Sequence, residues 1–148
     1  MQPIIRLFPY LLSLFLVIFV ALITIHFTLS QTTISQDLEF QSVQTSAKIL
    51  TKEQFIIDSV ETAQKVGIST IDHTVDFDKQ MLIGVTMGSQ TTGGYSIRIT
   101  DVTETPDTIY VHTKQSKPDS GATVTQAFTY PQDFVTIPKT DKRIVFLD

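Results

Sequence analysis

The sequence predicts a mainly β, α+β fold: an antiparallel sandwich or half-barrel with one amphipathic helix, preceded by an N-terminal transmembrane or signal helix. Three observations support this prediction. An uncharged apolar run occupies residues 11–25, apolar residues recur at helical spacing in residues 51–67, and the period changes to two after Val75. The residues beyond position 30 suffice for one domain with its own core.

The N-terminal apolar segment, residues 10–29, has the length of a membrane span, because ~1.5 Å per residue takes it across a hydrocarbon core of about 30 Å. Arg6 precedes it, and no Lys or Arg follows before Lys48. The positive-inside rule then places the N-terminus in the cytoplasm and the rest of the chain outside. We expect a single-pass membrane protein with a signal-anchor in residues 1–30. The alternative is a signal peptide cleaved near Ser30, which would leave a secreted domain.

Residues 31–44 are polar and rich in Gln, Ser and Thr, which is typical of a linker. Residues 38–43 are the candidate for a first strand within it. The predicted organisation is therefore an N-terminal segment of residues 1–30, a linker of residues 31–44 and a β-rich domain of residues 45–148.

The one helix predicted in the domain spans residues 51–66. Thr51 stands at the N-cap position, and Gln54 three residues later completes a capping box. Gly67 follows as a residue that can adopt positive φ and end the helix. The predicted apolar stripe consists of Ile56, Val60, Ala63 and Val66.

The main β-strands are predicted from residue 81 onward. Residues 81–87 are almost continuously apolar, as in a strand that is covered on both faces. Residues 95–102 and 108–114 alternate between apolar and polar, as in strands with one solvated face. Turn-forming residues separate these runs. Further strands are predicted at residues 122–130, 134–137 and 143–148.

Composition excludes several classes of function. The net charge is −4 and the basic residues are scattered, which argues against a nucleic-acid partner. The absence of cysteine rules out disulfides, thiol nucleophiles, Cys-ligated metals and a lipoprotein anchor. We predict neither a cofactor nor a metal, because the one acidic cluster matches no EF-hand spacing and is typical of a solvated turn. That cluster consists of Asp72, His73, Asp76 and Asp78.

No nucleophile, base and orienting group can be assembled from the sequence. Ser96 follows Gly94 and Tyr95 but lacks the G-x-S-x-G pattern of a nucleophile elbow, and a strand-to-strand setting does not suit one. His112 lies with Tyr110 on an alternating strand, where histidine is typically a surface or hydrogen-bonded core residue. We therefore predict that the protein is not an enzyme.

The candidate partner-binding residues are Thr91, Thr92, Gly93, Gly94 and Tyr95. The glycine pair favours a hairpin turn or bulge, because positive φ costs a residue with a Cβ roughly 1–2 kcal/mol. The same loop offers two hydroxyls, peptide groups and a flat ring, which suit recognition of another polypeptide. The alternative for Tyr95 is that its ring covers the core.

An ordered set of short motifs extends through most of the predicted domain. It begins with Asp-Phe before the apolar strand and continues with T-G-G-Y-S-I, a Pro-x-x-Gly loop and an Ile-Pro pair. The positions are Asp76-Phe77, Gly88, Thr92 to Ile97, Pro118 with Gly121, and Pro131 with Ile137-Pro138. With this set, residues 45–148 resemble the C-terminal domain of the PrcB family of protease-complex subunits.

This resemblance implies an extracytoplasmic, non-catalytic accessory domain, which in the family's namesake is linked to the assembly and stability of a surface protease. The chain departs from the namesake in lacking a lipoprotein cysteine. Another protein, in particular an extracellular protease, is therefore the expected partner, while the mode of anchoring differs from that of the namesake.

A second resemblance is confined to the loop. Chagasin-type inhibitors of cysteine proteases present an N-P-T-T-G-[YF] loop from an immunoglobulin-like sandwich. Thr91, Thr92 and Gly93 followed by Tyr95 are similar, with one extra Gly and with Ser89-Gln90 in place of Asn-Pro. The alternative function is therefore a protease inhibitor that presents the loop from Thr91 to Tyr95 to a cysteine-protease cleft.

Overall fold

The computed structural model describes residues 18–19, 35–68 and 75–148. Of the predicted N-terminal segment it describes only Ile18 and Phe19, which are helical and exposed. The predicted signal or transmembrane helix otherwise lies outside the described residues, as do Asp72 and His73 of the acidic cluster. Within the described ranges, no helix combines the length and the apolar character needed to cross a membrane.

Eight strands and one helix make up the described part of the domain. In chain order they are β1 (Gln36–Asp37), β2 (Gln41–Ser42), β3 (Gln54–Ile57), α1 (Val60–Lys65), β4 (Gln80–Thr86), β5 (Ser96–Glu104), β6 (Thr108–Ser116), β7 (Gln132–Pro138) and β8 (Arg143–Leu147). The strands form two four-stranded sheets. Sheet A has the order β1-β5-β6-β8, and sheet B has the order β2-β7-β4-β3.

The predicted mainly β fold with one helix is confirmed, and the two sheets face each other as a sandwich rather than closing into a barrel in the described part of the chain. All strand pairs are antiparallel except β6 with β8, which is parallel. β5 contacts β7 across the core. The two edge strands β8 and β3 therefore lie along the same side of the sandwich.

The inner core lies between the two sheets and is built from alternate residues of their strands. Burying an aliphatic side chain of this size stabilises the fold by roughly 1.5–3 kcal/mol. The buried members are Met81, Ile83, Val85, Ile97, Ile99, Val102, Ile109, Val111, Val135 and Ile137.

A second apolar cluster covers the outer face of sheet B. Leu82 of β4 belongs to it, whereas Ile83 belongs to the inner core, so β4 is covered on both faces as its sequence predicts. Phe134 is central to this cluster and stacks on Phe55, with ring centroids 6.3 Å apart. A Cβ at Gly84 would overlap the Phe134 ring, which explains the glycine inside a central strand.

The alternation predicted for β5 is confirmed, because Ile97 and Ile99 are buried while Ser96 and Arg98 are exposed. A bulge between Ile99 and Asp101 then shifts the phase by one residue. As a result the next inward residue is Val102 rather than residue 101.

The predicted helix over residues 51–66 is wrong in its first half. Residues 54–57 form β3, in which Phe55 and Ile57 face the outer cluster with the period of a strand. The helix begins after Ser59, whose hydroxyl oxygen accepts a hydrogen bond from the Thr62 backbone N–H at 3.3 Å. Thr51 does not cap a helix; its hydroxyl donates to the exposed Glu53 carboxylate at 2.6 Å. Strand pairing with β4 outweighs the local capping signal.

Only part of the predicted apolar stripe is buried. Ala63 is 2 % exposed, but Ile56 and Val60 are 47 % and 40 % exposed. The predicted helix end is confirmed, since Gly67 follows the last turn with a φ of 82°.

Residues 35–44, whose polar composition predicts a linker, contribute both β1 and β2. The pairs Gln36 with Glu104 and Gln41 with Thr136 add these short strands to sheet A and sheet B, respectively. The intervening Leu38 and Phe40 pack against the inner core.

Candidate binding surface

Two long connections lie at the same end of the sandwich. Residues 87–95 lead from β4 in sheet B to β5 in sheet A, and residues 117–131 lead back from β6 to β7. The predicted hairpin at the glycine pair is therefore wrong, because the flanking strands belong to different sheets. The predicted strand at residues 122–130 is also wrong, because this segment pairs only through the single bridge between Thr129 and Gln90.

The two connections are joined by backbone hydrogen bonds. Gln90 and Thr129 exchange two of them, at 2.8 and 2.9 Å, and the Gly93 N–H donates to the Thr125 carbonyl at 2.9 Å. The Thr129 hydroxyl donates to the Thr92 carbonyl at 2.8 Å. β-branched residues in 117–131 thus stabilise a loop pair rather than a strand, and several peptide groups of 87–95 are already bonded within the molecule.

The two adjacent glycines differ in backbone conformation and in the space around them. Gly94 has a φ of 87°, and a Cβ there would lie 2.9 Å from the Pro118 Cβ and 3.1 Å from the Val124 Cγ1. Gly93 has no positive φ, and its Cβ would lie 3.4 Å from the Thr125 Cβ. Gly94 therefore needs both the conformational freedom and the space, whereas a Cβ at Gly93 would make only an ordinary van der Waals contact with the second connection.

The predicted site residues differ in accessibility. Thr91 and Gly94 are exposed, while Thr92, Gly93 and Tyr95 are half-buried. The structure brings all five to one end of the sandwich, but among them only Thr91 has an exposed side chain. Tyr95 lines a shallow cleft of about 250 Å³ together with Arg98 and Asp133.

Two exposed apolar side chains flank this loop and were not predicted. Phe128 is 67 % exposed and precedes Thr129, the residue that bridges to Gln90. Leu50 is also 67 % exposed, and its carbonyl accepts a hydrogen bond from the Ser89 N–H at 3.0 Å. The exposure of Phe128 could not be predicted from the sequence, because the residues around it alternate as they do in a strand. We call Leu50, Thr91, Gly94 and Phe128 the crossover surface.

Such a surface fits recognition of a protein better than chemistry on a small molecule. Large apolar side chains exposed beside ordered backbone are typical of protein contact sites, where an aromatic anchor contributes a large share of the binding energy. The second cleft at this end, about 230 Å³, has both polar and apolar residues in its walls, among them Glu53, Val85 and Asp148.

The acidic cluster serves a turn in its described part. The Asp76 carboxylate accepts from the Asp78 N–H at 3.1 Å and forms an ion pair with Lys79 at 2.9 Å. The hydrogen bond from Lys79, followed by that from Asp78, lowers the pKa of Asp76, and the same ion pair raises the pKa of Lys79. The turn role expected for Asp76 is thereby confirmed. Among the described residues, no three side chains of metal-ligating type come together.

Ser96 and His112 do not form a catalytic pair. Ser96 faces Ser116 across the ladder, and His112 faces Asp101. Four positions of β6 separate Ser116 from His112, which corresponds to roughly 13 Å along a strand. That distance is far beyond the reach of a nucleophile–base hydrogen bond.

Comparison with known families identifies one match. Residues 81–138, from β4 to β7 and including both connections, match the family model described as PrcB C-terminal. This confirms the resemblance inferred from the motifs, over a narrower range than the predicted residues 45–148. Comparison with curated proteins and with solved structures finds no match.

Proposed function

We propose that this chain carries a non-catalytic accessory domain that binds another protein outside the cytoplasm, with an extracellular protease as the partner. The observation that carries the proposal is the match of residues 81–138 to the PrcB C-terminal family. The family name points to association with a protease complex. The wide separation of Ser96 from His112 supports a role without catalysis.

The proposed contact lies on the crossover surface and extends over the predicted residues Thr91 to Tyr95. Phe128 offers an apolar anchor, and Thr91 offers a hydroxyl beside it. The hydrogen bonds between the two connections hold this surface in one conformation, which lowers the entropic cost of binding.

The location outside the cytoplasm rests on the distribution of charge around the apolar N-terminal run. Arg6 precedes the run, and the next basic residue is Lys48. An epitope tag at the C-terminus, digested in intact cells by added protease, tests this orientation. Protection of the tag in intact cells would contradict it.

A pull-down of the full chain from detergent-solubilised membranes, followed by a protease assay, tests the proposed function. An accessory domain co-purifies with a protease whose activity persists or rises when the domain is bound. Inhibition of a papain-like protease by the purified chain would instead identify the chagasin-like alternative. A preparation that retains no protease would contradict the proposed function, and absence of inhibition would contradict the alternative.

Replacing Thr91 and Thr92 by Ala tests the predicted loop residues. The side chains of these threonines are expected to serve binding rather than folding. The melting temperature should stay within about 2 °C of wild type, since surface substitutions usually change stability by less than about 0.5 kcal/mol. The amount of protease that co-purifies with the variant chain should fall. A large loss of thermal stability would assign the threonines to the fold instead.

A further inference from the structure

One side of the sandwich is closed to further strands. In sheet A, β1 covers the end of β5, and the Leu38 N–H donates to the Val102 carbonyl at 2.8 Å. Beyond β1, the Asp133 carboxylate accepts from the Ile99 N–H at 2.8 Å, next to the bulge. In sheet B, β2 pairs with β7, and the Val43 N–H donates to the Phe134 carbonyl at 2.7 Å. Short edge strands, a bulge and an inward carboxylate are the usual means by which proteins block edge pairing.

The opposite side carries no such protection in the described part of the chain. Its edges are β8 in sheet A, which pairs only with β6, and β3 in sheet B, which pairs only with β4. Ile56 lies on the inner face of β3, since it is opposite Ile83, yet it is 47 % exposed. Leu147 of β8 is 37 % exposed. The described part of sheet A thus ends before it covers the inner face of β3.

Two hydrogen bonds fix the direction of the peptide groups of β8. The Arg143 N–H donates toward β6, to the Asp107 carbonyl at 3.1 Å, and the Leu147 carbonyl accepts from the Thr113 hydroxyl of β6 at 3.1 Å. Peptide groups of a strand alternate between its two edges. The N–H and C=O groups of Ile144 and Phe146 therefore point to the open edge.

We propose that a second copy of this chain pairs its β8 antiparallel to this open edge, about a two-fold axis through Val145. In that register Ile144 faces Phe146 of the second copy, and each such pair forms two backbone hydrogen bonds. The side chains of Ile144 and Phe146 are half-buried against the inner core, so the apolar layer continues across the interface. Val145 faces its own counterpart in the close, non-hydrogen-bonded position.

Charge along β8 suits this self-pairing. Arg143 would lie opposite Leu147 of the second copy on the outer face of the sheet. On the inner face, Lys142 would lie opposite the exposed Asp148 of the second copy. The two-fold axis repeats this contact, so each interface contains two opposite-charge neighbours and no like-charge pair from these residues. Self-complementary patches of this kind define an isologous interface. This inference is independent of the proposed function, because β8 and the crossover surface use different residues.

Symmetric cross-linking tests the pairing in the full chain in mild detergent. The sequence has no cysteine, so Val145→Cys introduces a single thiol at the axis. Non-hydrogen-bonded partners have Cα atoms about 4.5 Å apart, within the range that a disulfide spans. We expect rapid, near-complete covalent dimer under mild oxidation. Lys114→Cys, exposed on the outer face of β6, is the matched control and should form no covalent dimer. Equal cross-linking of the two variants, or none in the Val145→Cys variant, would overturn the proposal.

Charge variants test the register by sedimentation. Asp148→Lys should weaken the dimer on the order of tenfold, because two lysine side chains then lie opposite each other at each end of the interface. Arg143→Glu, on the outer face opposite Leu147, is the matched control and should leave dimerisation unchanged. Unchanged dimerisation of the Asp148→Lys variant, or an equal loss in the Arg143→Glu variant with its circular dichroism intact, would contradict the proposed register.

Discussion

At Gly94, both the backbone conformation and the packing require a residue without a side chain. Its positive φ and its proximity to Pro118 and Val124 both disfavour a side chain, whereas Gly121 has a similar φ of 85° with no described atom within 4 Å of where its Cβ would lie. Gly94 therefore serves first to let the two connections approach each other. The binding role proposed for the loop depends on this ordered backbone.

We expect Gly94→Ala to destabilise the domain by about 2–4 kcal/mol, since strain from the left-handed conformation adds to overpacking. Gly121→Ala carries only the conformational part, about 1–2 kcal/mol. Urea unfolding followed by near-ultraviolet circular dichroism measures both. Equal effects would show that Pro118 and Val124 move aside without cost.

The ion pair between Asp76 and Lys79 predicts a specific pH dependence. Because the folded pKa of Asp76 lies below its ordinary value of 3.8, its charge contributes stability above that pH, and the contribution is lost as pH falls through the folded pKa. Because the pKa of Lys79 is raised above its ordinary 10.5, its contribution is lost as pH rises through the folded value.

Asp76→Asn keeps an acceptor for the Asp78 N–H but removes the charge and the oxygen that accepts from Lys79. Because both groups are exposed, it should lower the melting temperature only slightly at pH 7. It should have no effect at a pH below the folded pKa of Asp76, where the carboxyl group is neutral as well. A decrease of equal size at both pH values would mean that the carboxylate acts through the turn rather than through its charge.

At the scale of single elements, the short helix α1 depends on Ser59 rather than on Thr51. Ser59→Ala removes the N-cap acceptor and should cost about 1 kcal/mol of unfolding free energy. Thr51→Ala is the matched control and should change it by less than about 0.5 kcal/mol. A larger loss of unfolding free energy for Thr51→Ala than for Ser59→Ala would support a helix that starts at residue 51.

The sequence predicted a strand correctly where its pattern of apolar and polar residues matches both the burial of those residues and the strands beside it. The run at residues 81–87 predicted β4, and the alternation around Ile97 and Ile99 predicted β5, because each side chain lies where its polarity requires. The same rules failed at residues 54–57, where pairing with β4 overrides a helical capping pattern. They also failed at residues 122–130, where β-branched residues instead hold a loop against its neighbour.

The candidate site was predictable only in part. The glycine pair marked the connection after β4, and the motif order pointed to the family. Phe128 and Leu50 could not be recognised, because exposure of an apolar side chain depends on which connections meet in space. The pairing of Gln90 with Thr129 is a contact between distant parts of the chain that no local pattern encodes.

At the scale of the whole molecule, two surfaces with different chemistry are separated on the described sandwich. The crossover surface lies at the end where both long connections meet, and the open edge of β8 lies along one side. The first is proposed to bind a protease and the second a further copy of the chain. Substitutions in the crossover surface are therefore expected to leave self-association unchanged, and substitutions in β8 are expected to leave protease binding unchanged.

Binding through the crossover surface is tested most simply by the amount of protease that Phe128→Ala retains relative to wild type. Phe128 is 67 % exposed and belongs to neither apolar cluster of the described residues, so the variant should keep its melting temperature. Retention should fall by at least about tenfold, as expected for loss of an aromatic anchor. Ile56→Ala, exposed but away from the crossover surface, should retain as much protease as wild type. Wild-type retention by the folded Phe128 variant would contradict binding through the crossover surface.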